Sequence, residues 1–239
     1  MVRNIYLSLR VNLLELSRNR AALFWALTFP LFIYTVFYLI FGVFNDEDYA
    51  TFLLTGVLAM TIAANGLFGV GSIVKRIYQG GTIRLMKKMP LNILSYFVGM
   101  VLNRFIMLIG LFLFLNVAAF FISGQMIGPA QIPSVILGLF VGLWIFSFVG
   151  LTLSFGNIKK NSEYSIVNII YFLMLFTSNA LYNISDFNPN VETIANVLPL
   201  NDILHLLRSE PCNLVSITLW MIIPVAVFYY LFRKVDYTR

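Results

Sequence analysis

The chain has 239 residues, 60% hydrophobic and only 11% charged, where soluble domains run at about 45–50% and about 25%, so a soluble globular protein is excluded. Sixteen Lys and Arg outweigh ten Asp and Glu, but the basic residues sit in short stretches between apolar runs and not on one soluble face, which speaks against nucleic acid as a partner. One cysteine, Cys212, and one histidine, His205, exclude an intrachain disulfide and a histidine-based metal cluster.

At the start of the chain Ile5, Leu9, Leu13 and Leu16 recur at helical spacing, with Arg3, Arg10 and Glu15 at other positions. This predicts an amphipathic interfacial helix over residues 1–20. A hydrocarbon core of about 30 Å takes about 20 apolar residues. Six such runs follow, at about 21–44, at 50–74, up to 122 after a long approach from 91, and at 132–155, 164–182 and 214–232. The first is too long for the apolar core of a secretory signal and lacks a small-residue cleavage site, so it is read as a span. Pro30 and Pro224 are expected to kink the first and last spans. Gly66, Gly69 and Gly71 soften the end of the second, and Gly138 and Gly142 form a G-x-x-x-G suited to close packing in the fourth. The predicted fold is an all-α polytopic membrane protein of six transmembrane helices in one domain.

Orientation follows from the basic residues. Arg3, Arg10, Arg18 and Arg20 precede the first span. Lys75, Arg76, Arg84, Lys87 and Lys88 follow the second, Lys159 and Lys160 follow the fourth, and Arg233, Lys234 and Arg239 end the chain. The opposite side has Arg208 among Asp46, Glu47, Asp48, Asp186, Glu192, Asp202 and Glu210. Both termini are therefore expected in the cytoplasm and the chain in the cell membrane. Arg104 remains; counting back from residue 122 puts it at the inner edge of the third span, where it can snorkel, and residues 91–102 then lie on the inner leaflet or project below it.

All ten carboxylates lie outside the apolar runs or at their edges, which leaves no intramembrane proton relay. There is no H-E-x-x-H, no paired aspartate, no Ser/His/Asp set at a common depth and no G-x-x-x-x-G-K-[ST]. The chain is therefore read as no enzyme and as binding no nucleotide itself; its energy must come from a partner or an ion gradient.

The segment 74–91, Val-Lys-Arg-Ile-Tyr-Gln-Gly-Gly-Thr-Ile-Arg-Leu-Met-Lys-Lys-Met-Pro-Leu, is the most specific feature. Gly80 and Gly81 break the preceding helix, Thr82 can cap a short new one, and Pro90 ends it. Ile83, Leu85 and Met86 beside Arg84, Lys87 and Lys88 suit a groove on a cytoplasmic protein, or an anionic lipid surface. After the fifth run, the external segment 183–213 carries Ile194, Val197 and Leu198, then Ile203, Leu206 and Leu207, spaced for two short amphipathic helices divided by Pro199. His205 reads as an ordinary interfacial residue.

The sequence resembles the permease subunits of type-2 ABC exporters. The likeness rests on Gly81-Thr82, Arg84-Leu85 and Pro90-Leu91, on Arg20 followed by Phe29-Pro30 and Gly42, and on Leu198-Pro199-Leu200 followed by Arg208. Gln79 departs from it, since relatives more often carry a charged residue before the Gly. The resemblance implies a single transmembrane domain over 1–239, with an external segment of re-entrant or interfacial helices and a coupling segment at 75–90. In that segment Gly81, Thr82, Arg84, Leu85, Lys87 and Lys88 contact a cytoplasmic ABC ATPase. It also implies two ATPase subunits, which hold the ATP and Mg²⁺, and a substrate path between this chain and a second copy or a related permease. This chain itself binds no cofactor.

With no fixed charge at depth, the path is expected to be apolar and aromatic. It suits small amphiphiles such as drugs, antimicrobial peptides or lipid-like compounds that enter from the inner leaflet of the bilayer. Phe29, Tyr34, Tyr38, Asn65 and Arg104 are the candidate contacts; Tyr34 and Tyr38 share one helical face. Asn65, Asn168, Thr177 and Asn179 can equally serve as hydrogen-bonding groups between helices, as the two tyrosines can. Export of polysaccharide or glycolipid, and an Na⁺-coupled carrier using backbone carbonyls, are the alternatives. An enzyme acting on lipid headgroups lacks the clustered acids it would need.

Overall fold

The computed structural model describes residues 2–42, 48–80, 93–156, 163–184, 193 and 195–234, and among them there is no strand. Helices α1 (Val2–Arg18) and α2 (Arg20–Phe41) are separated by Asn19 alone. Backbone bonds from Asn19 N to Glu15 O and from Leu23 N to Asn19 O carry the ladder across it. Helix α3 (Tyr49–Ala64) runs directly into a π-helical turn, Asn65–Gly71, and on into α4 (Ser72–Gln79). Gly80 closes that helix, its N–H reaching the Arg76 carbonyl at 2.8 Å, at the place where the Gly pair predicts a break.

Helix α5 (Ile93–Ser123) is 31 residues without interruption, about 46 Å at 1.5 Å per residue. Residues 93–102 are thus in line with the helix of the third span, whose length exceeds a 30 Å core by about the length of that stretch. Gly124 stops α5 at φ +74, a left-handed position that glycine adopts without strain. A 3₁₀ turn at Pro129–Gln131 leads into α6 (Ile132–Phe155), with Pro133 in its first turn. Then come α7 (Glu163–Phe176), α8 (Pro199–Arg208) and α9 (Leu214–Lys234). Helical structure runs through both Pro30 and Pro224.

Among the described residues, five segments are long and apolar enough to cross a bilayer: Leu23–Phe41, Tyr49–Ile77, Ser95–Ser123, Pro129–Phe155 and Leu214–Arg233. The remaining expected run, 164–182, is helical for only the 14 residues of α7, about 21 Å and short of a 30 Å core. Beyond Phe176, side chains take over the backbone groups. The Thr177 and Ser178 hydroxyls donate to the carbonyls of Leu173 and Leu175, that of Tyr182 donates to Phe176, and Asn179 Oδ1 accepts from Ile184 N–H. Such local bonding competes with helix propagation.

Helix α6 is the centre of the bundle, packed on α3, the π turn, α8 and α9. Lipid tails are as apolar as leucine, so close packing, more than removal of apolar surface, holds these helices together. The π turn shows how. A Cβ on Gly71 would stand 2.4 Å from the carbonyl carbon of Gly150 in α6, so only glycine permits this backbone approach. The G-x-x-x-G of α6 faces the same core, Gly138 against Leu207 of α8 and Gly142 against Ile62 of α3. Every residue from Leu53 to Met60 is buried, as expected of a helix apolar all round. In contrast, α2 exposes Phe24, Trp25, Phe29 and Phe32, and α9 exposes Ile222, Ile223, Tyr229 and Tyr230. These broad apolar faces suit lipid or a second membrane subunit.

Helix α1 lies along the first half of α5, where Gly99 leaves room for Ser8. Its buried positions are polar, Ser8 and Asn12, with Asn12 Nδ2 donating to the Ser8 carbonyl at 2.8 Å. Ile5, Leu9 and Leu13 flank them half-buried, while Tyr6, Leu7, Val11 and Leu14 are exposed.

Candidate functional site

Three of the five expected path residues come together around the π turn. A π turn holds one more residue than an α turn and so opens the helix locally, a feature common at functional sites. Asn65 opens this one: its Nδ2 donates back to the Thr61 carbonyl at 2.9 Å, leaving Oδ1 free to face α5. There Arg104 Nη1 donates to it at 3.4 Å. Gly69 makes the room, since a Cβ at that position would lie 3.2 Å from Cζ and Nε of Arg104. The guanidinium therefore turns inward onto the second span. Nε of Arg104 is buried and has no hydrogen-bond partner among the described residues.

Asn65 also borders two cavities. The larger, about 270 Å³, lies between α2, α3 and α5 and is lined by Leu23, Leu27, Thr61, Met107, Leu111 and Phe114 among others. The smaller, about 190 Å³, is lined by Trp25, Phe29, Pro30, Ile33, Met60 and Tyr171 among others. Phe29 thus joins Asn65 at the smaller cavity, and Arg104 sits one helical turn before Met107 and Leu108 of the larger. Apart from Thr61 and Asn65, the side chains of both linings are apolar or aromatic, with the Tyr171 hydroxyl turned to the Met60 carbonyl.

Tyr34 and Tyr38 lie elsewhere. Tyr34 is fully buried with its hydroxyl 3.2 Å from Ser123 Oγ, at the far end of α5, and its ring stacks on Tyr38 at 6.1 Å between centroids. Neither lines the two cavities. The residues expected to couple to an ATPase, Gly81, Thr82, Arg84, Leu85, Lys87 and Lys88, lie outside the described residues. What leads to them is α4, which buries Val74, Lys75 and Ile77 and directs Arg76 Nη2 to the hydroxyl of Tyr164, at the start of α7, at 3.3 Å.

The sequence gives little hint of a second cluster, around Arg208. Helix α8 begins at Pro199, as expected, but buries Leu200, Asn201, Asp202, Ile203, Leu204 and Leu207 against the bundle and does not lie on a surface. Its last residue, Arg208, reaches into the top of α3. Nε donates to Thr55 Oγ1 at 3.1 Å, and Nη2 donates to the carbonyls of Asn179 at 2.7 Å and Phe52 at 3.3 Å. The Phe52 ring lies 3.8 Å from Cζ, a cation–π contact. Burial pushes the guanidinium down to about 10, with Glu210 pulling the other way, so it remains charged at neutral pH. The helix ends in a Schellman cap: Ser209 N–H to Leu206 O and Glu210 N–H to His205 O, with Ser209 at φ +61. The cap returns Glu210 to His205, 2.6 Å away. Asp202, raised by burial, accepts from the Ser216 hydroxyl of α9, and Asn201 Oδ1 accepts from Asn179 N–H at 3.0 Å. The signal available was Arg208 itself, the lone basic residue of an otherwise acidic side.

Five helices long and apolar enough to cross a bilayer, among the described residues, and an apolar, cavity-bearing bundle set the context for comparison with known families. The family described as ABC-2 type transporter matches residues 3–210. The chain belongs to this family. It is thus the permease of an ABC transporter, a multi-pass membrane protein of a domain type that has no ATP-binding motif of its own. The match spans α1 to α8, so the Arg208 cluster lies inside the ABC-2 domain. No curated protein matches the chain.

Proposed function

We propose that this ABC-2 permease exports small amphiphilic compounds from the cytoplasm or inner leaflet, powered by two separate ATPase subunits that hold ATP and Mg²⁺. In this reading the chain crosses the cell membrane six times with both termini in the cytoplasm. Helix α7 and residues 177–182 together make the fifth crossing, and α1 lies at the inner interface. The working unit contains two permeases, two copies or two relatives, and segment 75–90 meets the ATPases.

The observation that carries the substrate class is the pair of apolar cavities meeting at Asn65, whose amide oxygen accepts from the Arg104 guanidinium outside both linings. A linear polysaccharide needs rows of hydroxyl and amide partners, which these linings lack. The exposed rims Trp25, Phe29 and Phe114 give entry from the bilayer. The test is reconstitution with the ATPase in liposomes, with uptake of several fluorescent amphiphiles followed into inside-out vesicles. ATP-dependent accumulation of amphiphiles but not of a polysaccharide carrier is expected; the reverse preference would overturn this reading. In the same assay the Arg84→Glu, Leu85→Asp double variant should insert normally yet lose substrate-stimulated ATP hydrolysis. Normal stimulation would place coupling elsewhere.

A further inference from the structure

We propose that Arg104 and Asn65 form the head site for a single-chain anionic amphiphile, its acidic group on the guanidinium and its tail in the 270 Å³ cavity between α2, α3 and α5.

A guanidinium has five N–H donors. Arg104 uses one, on the neutral Asn65 at 3.4 Å, and its buried Nε has no partner among the described residues. A charge taken from water needs a counter-charge or a full set of acceptors. Arg208, with three hydrogen bonds and a ring face, shows how this chain partners a buried guanidinium, whereas among the described residues Arg104 has one long contact. Among the described residues its neighbourhood has one carboxylate acting on it, Glu15 of α1, which lies beyond ion-pair distance.

The surroundings keep the side chain directed inward. Gly69 clears the space beside Cζ and Nε, and the π turn places the Asn65 amide against it. Asn65 Nδ2 has a second N–H beyond the one given to Thr61. An incoming phosphate or carboxylate would take Nε–H, a second guanidinium N–H and this amide N–H, the forked geometry in which arginine binds oxyanions best. One turn along α5, Met107, Leu108 and Leu111 begin the apolar cavity, so acid and tail would be held in line. The size of the cavity favours one chain over two.

This inference rests on reading the cavity as a substrate site, and the two can be separated. The full permease is placed in phosphatidylcholine nanodiscs, and 11-(dansylamino)undecanoic acid serves as the fluorescent probe. Dodecyl phosphate should displace the probe, while dodecyltrimethylammonium and inorganic phosphate should not. Arg104→Gln should weaken dodecyl phosphate by about ten- to a hundred-fold, the loss of one charge-assisted pair, and Arg104→Lys should restore part of it. A Cβ at Gly110, which lines the cavity, meets nothing within 4 Å. Gly110→Phe therefore fills the tail space in a folded protein and should abolish probe binding with Arg104 intact. Equal binding of the cationic detergent, or dodecyl phosphate affinity within twofold of the parent in both Arg104→Gln and Gly110→Phe, would overturn the proposal. So would Arg104-dependent displacement by phosphatidate in the disc, which would assign the site to a two-chain membrane lipid. Binding without ATP-driven transport would sink the export reading and leave this site standing; transport of amphiphiles with no Arg104-dependent binding would do the reverse.

Discussion

Arg104 and Arg208 are both partly buried arginines with no ion pair among the described residues, yet their surroundings are opposite. Arg208 is met by two backbone carbonyls, a threonine hydroxyl and a phenyl ring, contributed by α3 and by residue 179. Among the described residues, Arg104 has a single long contact to an amide and no partner for Nε. A cation bonded to several elements at once is a fastener, because removing it strands its acceptors and frees the elements it joins. One left with spare donors contributes little to stability and remains available to something else.

That contrast predicts a hierarchy of effects on stability. Arg208→Leu should cost most, about 2–3 kcal/mol for hydrogen bonds to a charged group, seen as a clear fall in the melting temperature of the purified permease. Hydrogen exchange should rise in both α8 and the start of α3; a rise in α8 alone would mean that the arginine does not join the two. Next, Ser209→Gly should stabilise by about 1 kcal/mol, because a left-handed backbone position strains any side-chain-bearing residue. Loss of stability there would mean that the hydroxyl matters more than the cap. Smallest is Arg104→Gln, expected to shift unfolding by no more than about 0.5 kcal/mol, the scale of an intramembrane polar contact. A loss as large as that of Arg208→Leu would erase the distinction between the two arginines.

How far the sequence foretold these features depends on the range of the interactions. Helix α6 was legible at both ends, since the charge-free run at 132–155 is bounded by Gly128-Pro129 and Gly156, signals that act within a few residues. The fifth run was legible as apolar but not as a helix end, because Thr177, Ser178 and Tyr182 count as span residues by hydropathy while their hydroxyls take backbone carbonyls. Asn65 and Arg104 were each found as candidates, but nothing in the chain announced that they meet; that contact spans 39 positions and depends on Gly69 being bare. The Arg208 cluster was the least legible. Its acceptors Phe52 and Thr55 lie more than 150 positions away, and two of its three hydrogen bonds go to carbonyls, which every residue has. Tyr34 and Tyr38 were read correctly as one face, but which helix that face would meet is a packing outcome.

The π turn at Asn65–Gly71 also sets an angular relation along the second span. One residue beyond a normal turn advances the helix by about 100°, so the face of α3 that presents Thr61 to the cavity is out of phase with the face of α4 that presents Arg76 to Tyr164. The turn acts as a fixed rotary offset between the two halves. Deleting one residue within it would restore an even pitch and swing Arg76 by more than a quarter of a revolution, away from α7. The permease would then keep its composition, its hydropathy and nearly its length, and yet present a different side of itself at the end of α4, inside the segment 75–90 proposed to meet the ATPases.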